Sequence, residues 1–423
     1  MGARQIVAVL RHDYSDTRVT ERTVFKYLHH TEPDAVQQRK AKHFKRKRFW
    51  SAGVNDVWAM DQHDKWRRFG LFLHIGVEPF AGRILWLKIW WTNRNPRLIA
   101  SYYLEAARKI GGVPLVTQSD PGTENFGVAN CHTQIRHWLD PSLASTLQHR
   151  WMRDKNNIKP EIAWMLLRRN WTPGFENILE HGRLSGLYDP DNLLERLVFY
   201  WLAIPWLQAE LDKYASKFNS TSRRADKNKI LPHGIPDIIT MKPERYGSLD
   251  FKVKVPPETF VEAELNWSPP DDTVFQLVPP DFDQLAHTLY SELGHPAVAF
   301  DTFWNVYSLL LDAFRQLPIV PDFSAAAQTQ FSVEENQEQL DSDMPLLPNL
   351  QELRHGDMGI GANGYYYGGG LANPPDIPSM GNMESDEEGR DSFSDEQDHR
   401  IFARFTPEIE DEITSESEVD QSI

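Results

Sequence analysis

Three acidic residues stand where strand- and helix-like patterns end or begin. Asp61 closes the apolar run Val57-Trp-Ala-Met, Asp120 follows the run Val113-Pro-Leu-Val-Thr117, and Glu161 lies one residue after Pro160 in the first turn of a helix-like segment. Each has an ordinary reading by itself. A strand-end acid caps a loop, Asp-Pro-Gly is a common turn, and a first-turn Glu is favoured by the helix dipole. Together they form a hard, all-oxygen donor set that suits Mg²⁺ or Mn²⁺ rather than zinc. Two such ions roughly 3.5–4 Å apart would stabilise both the attacking and the leaving oxygen of an in-line displacement at phosphorus. Asp64 is the alternative first ligand, and Glu124 reads as a helix-start acid or a secondary ligand. Lys159, Arg168 and Arg169 flank the third acid, where they could hold phosphates or simply be solvated.

The elements that must bring these acids together can be read from periodicity. Leu71, Leu73, Ile75 and Val77 alternate, as do Leu85, Leu87, Ile89 and Trp91, with Pro79-Phe-Ala-Gly-Arg83 as the turn of a hairpin. A helix is expected from Pro96 with Asn95 as its N-cap, an apolar stripe through Leu98, Tyr102, Ala106 and Ile110, and a stop at Gly111-Gly112. Val113–Thr117 predicts the strand that points at Asp120, and Val128, Cys131, Ile135 and Leu139 predict a second helix. A third helix opens at Pro160. The order β-β-β-α-β-α-linker-α implies a mixed sheet with helices packed on it. If the first and fourth strands are neighbours, both Asp side chains emerge at one end of the sheet, and a helix crossing that end brings Glu161 to them.

Charge is distributed unevenly. The net charge is −15, yet residues 331–423 carry 23 acidic and 4 basic groups, which leaves residues 1–330 at +4. Residues 1–50 hold 12 basic and 5 acidic groups, concentrated in Arg39, Lys40, Lys42, Lys45, Arg46, Lys47 and Arg48. That run reads as a nucleic-acid contact, a nuclear-import signal or a solvated face, and DNA binding and import are compatible. The implied location is nuclear, otherwise cytoplasmic. The acidic stretch from 331 is expected to be disordered and to serve as a contact for a protein partner or as a mask for the basic front. The single cysteine, Cys131, excludes an intrachain disulfide and any Cys₄ or Cys₂His₂ zinc site. It falls on an apolar helix stripe and reads as buried and inert. No apolar run approaches the roughly 18 residues that span a bilayer, so no membrane partner is expected. Trp86, Trp90, Trp91, Trp164, Trp171, Trp201 and Trp206 read as packing residues rather than base-stacking ones. Four regions result: a basic helical segment over 1–54, a catalytic core over 55–225, an accessory region over 226–330 and the acidic tail over 331–423.

Trp58-Ala-Met-Asp61 resembles the Trp-x-x-Asp strand of the retroviral integrase core, and Ser119-Asp-Pro-Gly-Thr-Glu-Asn125 resembles its Asp-x-Gly segment in the form found in eukaryotic integrase-core proteins. Pro160-Glu-Ile-Ala-Trp-Met-Leu-Leu-Arg-Arg169 is similar to the helix that presents the third acid, and Asp64-Lys65 and Leu231-Pro-His-Gly-Ile-Pro236 also fit. The likeness covers about 55–235. It implies an RNase-H-like, five-stranded mixed sheet with flanking helices, derived from a mobile element. It also implies a DDE triad of Asp61, Asp120 and Glu161 holding two Mg²⁺ or Mn²⁺ ions, 3′-end hydrolysis and strand transfer of DNA, and a homo-oligomer. Two departures stand out. The Asp120–Glu161 gap is longer than the retroviral one. The zinc-binding N-terminal domain is missing, so the front helix reads as a shortened helix-turn-helix. A catalytically silent DNA-binding or scaffold protein with the same fold is the alternative, and a nuclease of RNA–DNA hybrids a third reading.

Overall fold

The computed structural model describes residues 7, 19–33, 49–153, 157–223, 230–335, 344–353, 359–360 and 366–367. The basic residues Arg39, Lys40, Lys42, Lys45, Arg46, Lys47 and Arg48 lie outside them, as does nearly all of the acidic tail beyond 353. Residues 1–48 and 49–423 are two compact units. In the first, helix α1 (Glu21–Thr31) is started by Thr20, whose hydroxyl accepts the Thr23 N–H at 3.2 Å.

In the second unit, strands β1 (Val57–His63), β2 (Phe72–Glu78) and β3 (Arg83–Trp90) form an antiparallel meander. Strand β4 (Val116–Ser119) then lies parallel to β1 on its other side, and β5 (His149–Trp151) lies parallel to β4. The spatial order β3-β2-β1-β4-β5 is the mixed five-stranded sheet that was expected. Two details differ from the sequence reading. β1 runs two residues past Asp61, and the fourth strand is broken at Pro114. There, Gly112–Val113 pairs with Val253–Lys254, while β4 proper starts at Val116. Six of the seven residues of β2 are buried, so the sheet is covered on both faces and does not show a one-sided alternation there.

Helix α2 (Pro96–Ile110) has Asn95 as its N-cap, with Oδ1 accepting the Arg97 N–H at 2.9 Å, and Gly111 ends it at φ 72°. The positive φ is the left-handed C-cap that glycine adopts without a Cβ clash. Helices α3 (Phe126–Leu139), α4 (Ile158–Asn170), α5 (Thr172–Leu184) and α6 (Leu193–Ser220) complete this part. α4 begins at Ile158, two residues ahead of the expected start at Pro160. α6 lies along the outer edge of β3 and satisfies its backbone with side-chain amides. Gln208 accepts the Ile89 N–H and donates to Leu87 O, both at 3.0 Å. Asn219 does the same for Ile84 N–H and O, both at 2.8 Å. An edge strand with unpaired polar groups invites further pairing, and these amides close it.

The accessory region is helical: α7 (Pro236–Met241), α8 (Pro257–Trp267), α9 (Pro280–Glu292), α10 (Phe303–Arg315) and α11 (Ser324–Glu335). The apolar run from Phe303 to Phe314 lies in α10. These helices share one hydrophobic core with the sheet, and Phe260, Phe282, Phe303, Phe314 and Phe331 join Trp58, Tyr103 and Leu207 in it. The boundary at 225 is therefore a change in composition and not a break in packing. Residues 344–353, inside the stretch expected to be disordered, are ordered against α3. Asn130 donates to Pro345 O and accepts the Leu347 N–H, both at 2.9 Å, and Gln351–Glu352 pairs with Thr146–Leu147. Leu346 and Leu350 supply the apolar contacts that the acidic composition conceals.

Candidate metal centre

The parallel register of β1 and β4 positions the two aspartates. Val57 pairs with Val116, Trp58 with Thr117 and Ala59 with Gln118. Carried two residues further, the same register sets Asp61 beside Asp120. Adjacent parallel strands lie roughly 4.8 Å apart and side chains repeat their direction every second residue, so the two carboxyls leave the sheet on the same face. Asp120 is further fixed from behind. The Ser119 hydroxyl donates to Asp120 O at 2.9 Å, and the buried His149 ring on β5 bridges Thr117 Oγ1 at 2.9 Å and Ser119 Oγ at 3.1 Å. Asn125 Nδ2 also donates to Asp120 O, at 3.2 Å.

Helix α4 brings the third acid. Glu161 is exposed in its first turn, and Trp164, one helical step along the same side, donates from Nε1 to Asp61 Oδ2 at 3.0 Å. The preceding Asn157 is buried and donates from Nδ2 to Met60 O at 2.7 Å. The triad is electrostatically connected. Burial, then the Asp120 charge and more weakly that of Glu161 push the Asp61 carboxyl up to about 7, against the Gln62 backbone N–H and the Trp164 indole, which lower it. Asp120 is raised by burial and by Glu161. Among the described residues, no three Asp, Glu, His or Cys side chains converge closely enough to hold an ion as they stand. The three acids are neighbours that repel one another rather than a closed cage.

A divalent ion fits what these residues lack. Asp120 Oδ1 is buried with no hydrogen-bond partner, and the two aspartates hold protons more tightly than free carboxyls because burial, and after it the neighbouring acids, disfavours their charged forms. A hard dication supplies the compensation that oxygen donors of this type take up.

The other predicted residues fall into three groups. Asp64 is exposed beyond β1 and accepts from Asn93 Nδ2 at 2.7 Å, while its backbone oxygen starts the turn Arg67–Phe69. It does not figure among the charges that act on Asp61 or Asp120. Glu124 Oε1 accepts from Gln62 Nε2 at 2.6 Å, which ties the turn after Asp120 to the residue after Asp61. Lys159 Nζ sits 5.0 Å over the Phe49 ring. Arg168 is exposed, and its charge, with that of Lys65, reinforces the burial that holds His63 down at about 4. Arg169 ends the same helix, half-buried. Sequence reasoning missed Asn157, His149 and the polar use of Trp164. The last had a readable signal in its place three residues after Glu161, on the same helix face.

No curated protein matches the sequence. Residues 49–235 match the family model of the integrase core domain, and this segment contains β1 to β5, α2 to α6, and all three acids. That segment is an integrase core domain, and its five-stranded mixed sheet with flanking helices is RNase-H-like.

Proposed function

We propose that this chain is a metal-dependent polynucleotidyl transferase that hydrolyses 3′ ends of DNA and joins them to a target strand. The observation that carries the reading is the β1–β4 register, which sets Asp61 beside Asp120 and leaves a buried, unpartnered Asp120 oxygen facing the same need for a cation. Asp61, Asp120 and Glu161 would hold two Mg²⁺ or Mn²⁺ ions, which when bound stabilise charge on the entering and departing phosphoester oxygens. The protein supplies no covalent nucleophile, because water or a DNA 3′-hydroxyl attacks. Its residues orient. Ser119 and His149 fix the end of β4, Trp164 and Asn157 fix α4 against β1, and Arg168 offers a cation to the strand on the exposed side of that helix.

The same reading assigns the basic run 39–48 to DNA and to nuclear import, expects action as a homo-oligomer, and gives the acidic tail a protein partner or the basic front as its contact. The competing reading is a catalytically silent DNA-binding or scaffold protein. It draws on the exposure of Glu161 and on an Asp61 carboxyl that burial and the Asp120 charge push up to about 7.

Nicking and joining of labelled duplex DNA, with Mn²⁺ and with Mg²⁺, separates the two. Metal-dependent joined products that disappear in Asp120→Asn support the transferase. Wild-type protein that binds DNA but neither nicks nor joins it with either metal supports the silent protein. Cleavage confined to RNA–DNA hybrids would indicate a nuclease instead.

A further inference from the structure

Trp164 is 5% exposed and, to judge by its ring alone, a core residue. Its contacts are more specific than packing requires. The ring stacks on His63 with centroids 4.8 Å apart and planes at 20°, while the indole N–H donates to Asp61 Oδ2 at 3.0 Å. His63 and Asp61 are two residues apart on β1 and so on the same face of the strand. One side chain of α4 therefore grips β1 at two points, and one of these is the carboxylate itself. Asn157, four residues before Glu161, makes the other attachment of α4 to β1 through Met60 O.

We propose that Trp164 is a positioning residue for the metal-binding carboxylates. Its N–H holds Asp61 Oδ2 so that the carboxylate presents one fixed orientation to a divalent ion, and its stack on His63 sets the distance at which Glu161 meets the Asp pair. The inference rests on the metal-dependent reading above. A benzothiophene ring of the same shape would fill the same space and keep the ring contact with His63, so the indole N–H is the part that packing does not explain. Residues that orient a ligand through a hydrogen bond change metal affinity by roughly 10–100-fold when that bond is removed.

The test is Mn²⁺ binding followed by the electron paramagnetic resonance signal of the free ion, on the full chain. Only binding that is lost in Asp120→Asn is counted, so that Mn²⁺ held by the acidic tail is set aside. Trp164→Phe is expected to weaken that binding about 10-fold with an unchanged far-ultraviolet circular dichroism spectrum. If the Phe variant does not fold, 3-benzothienylalanine placed at 164 keeps the shape of tryptophan and removes the N–H alone, with the same expectation. Wild-type affinity in the folded variant overturns the proposal and leaves the transferase reading in place. Absence of any Asp120-dependent Mn²⁺ binding in the wild type overturns both.

Discussion

The segment that matches the integrase core, 49–235, and the helices that follow it, α7 to α11, use the same interior for different ends. The first carries the acids, the sheet register and the tethers of α4. The second contributes none of the three acids, yet it finishes the core. Trp90 and Trp91 of the first segment donate their indole N–H groups to Val274 O at 2.9 Å and Gln276 O at 3.0 Å of the second. Phe282 stacks on Phe314 at 4.8 Å, both fully buried in the cluster that also holds Trp58 and Leu73. Chemistry and stability are thus separable by region although packing is not, and substitutions on the two sides should fail in different ways.

The largest effect is expected on the chemical side. Asp120→Asn should lower nicking and joining by more than the roughly 100-fold that a change to an outer-shell partner produces, while its melting temperature stays at or above that of the wild type. The amide keeps the shape and removes a charge that burial and Glu161 oppose. Parallel activity and calorimetric measurements check this, and a variant that unfolds would place Asp120 among the stability residues instead.

The reverse experiment ends the chain at 235. That fragment retains every acid of the triad, but it exposes the faces covered by Val274, Phe282, Phe303 and Phe314. It is expected to lose its cooperative melting transition. A fragment that melts sharply and binds metal would show that the family-matching segment is self-sufficient. The milder form is Phe282→Ala in the whole chain, which should cost about 3–5 kcal/mol and lower the melting point by on the order of 10 °C. At low temperature, activity should survive. A proportionate loss of activity in the folded variant would mean that the two regions are coupled.

The same comparison explains what could be read in advance. The hairpin β2–β3 and helix α2 with Asn95 and Gly111 were legible, because caps, turns and period-two alternation are local, whereas the end of β1 was misplaced, since the strand continues two residues past Asp61. β5 was not. Three buried residues, His149–Trp151, are too short to show a period, and their pairing with β4 is non-local. In the accessory region Pro236, Pro257 and Pro280 each stand at the first position of a helix, where proline is tolerated although composition counts it as a breaker, so its helices do not show in composition. Pro205 misleads in the opposite sense, since α6 runs through it. At the site, residue type singled out the three acids, but the destination of the Trp164 N–H depends on how α4 crosses β1, which no local pattern encodes.

The smallest expected effect is also the most diagnostic of the acidic pair. Burial and the neighbouring acids raise the folded-state Asp61 carboxyl from its usual 3.8 to about 7. A raised carboxyl means that the folded state binds the proton more tightly than the unfolded chain does. Its contribution to stability is therefore complete below about pH 4 and is lost as the pH rises through about 7. Asp61→Asn removes that loss while keeping an oxygen to accept from Trp164. Without added metal, the variant should melt a few degrees above the wild type at pH 8 and level with it at pH 4. Mn²⁺ should raise the wild-type melting point at pH 8 and leave the variant nearly unchanged, because an ion that binds the folded state alone stabilises it by mass action. Equal melting curves at both pH values would mean that Asp61 is solvated like an ordinary surface acid, and the strand-borne half of the site would then lose its distinction from the exposed Glu161.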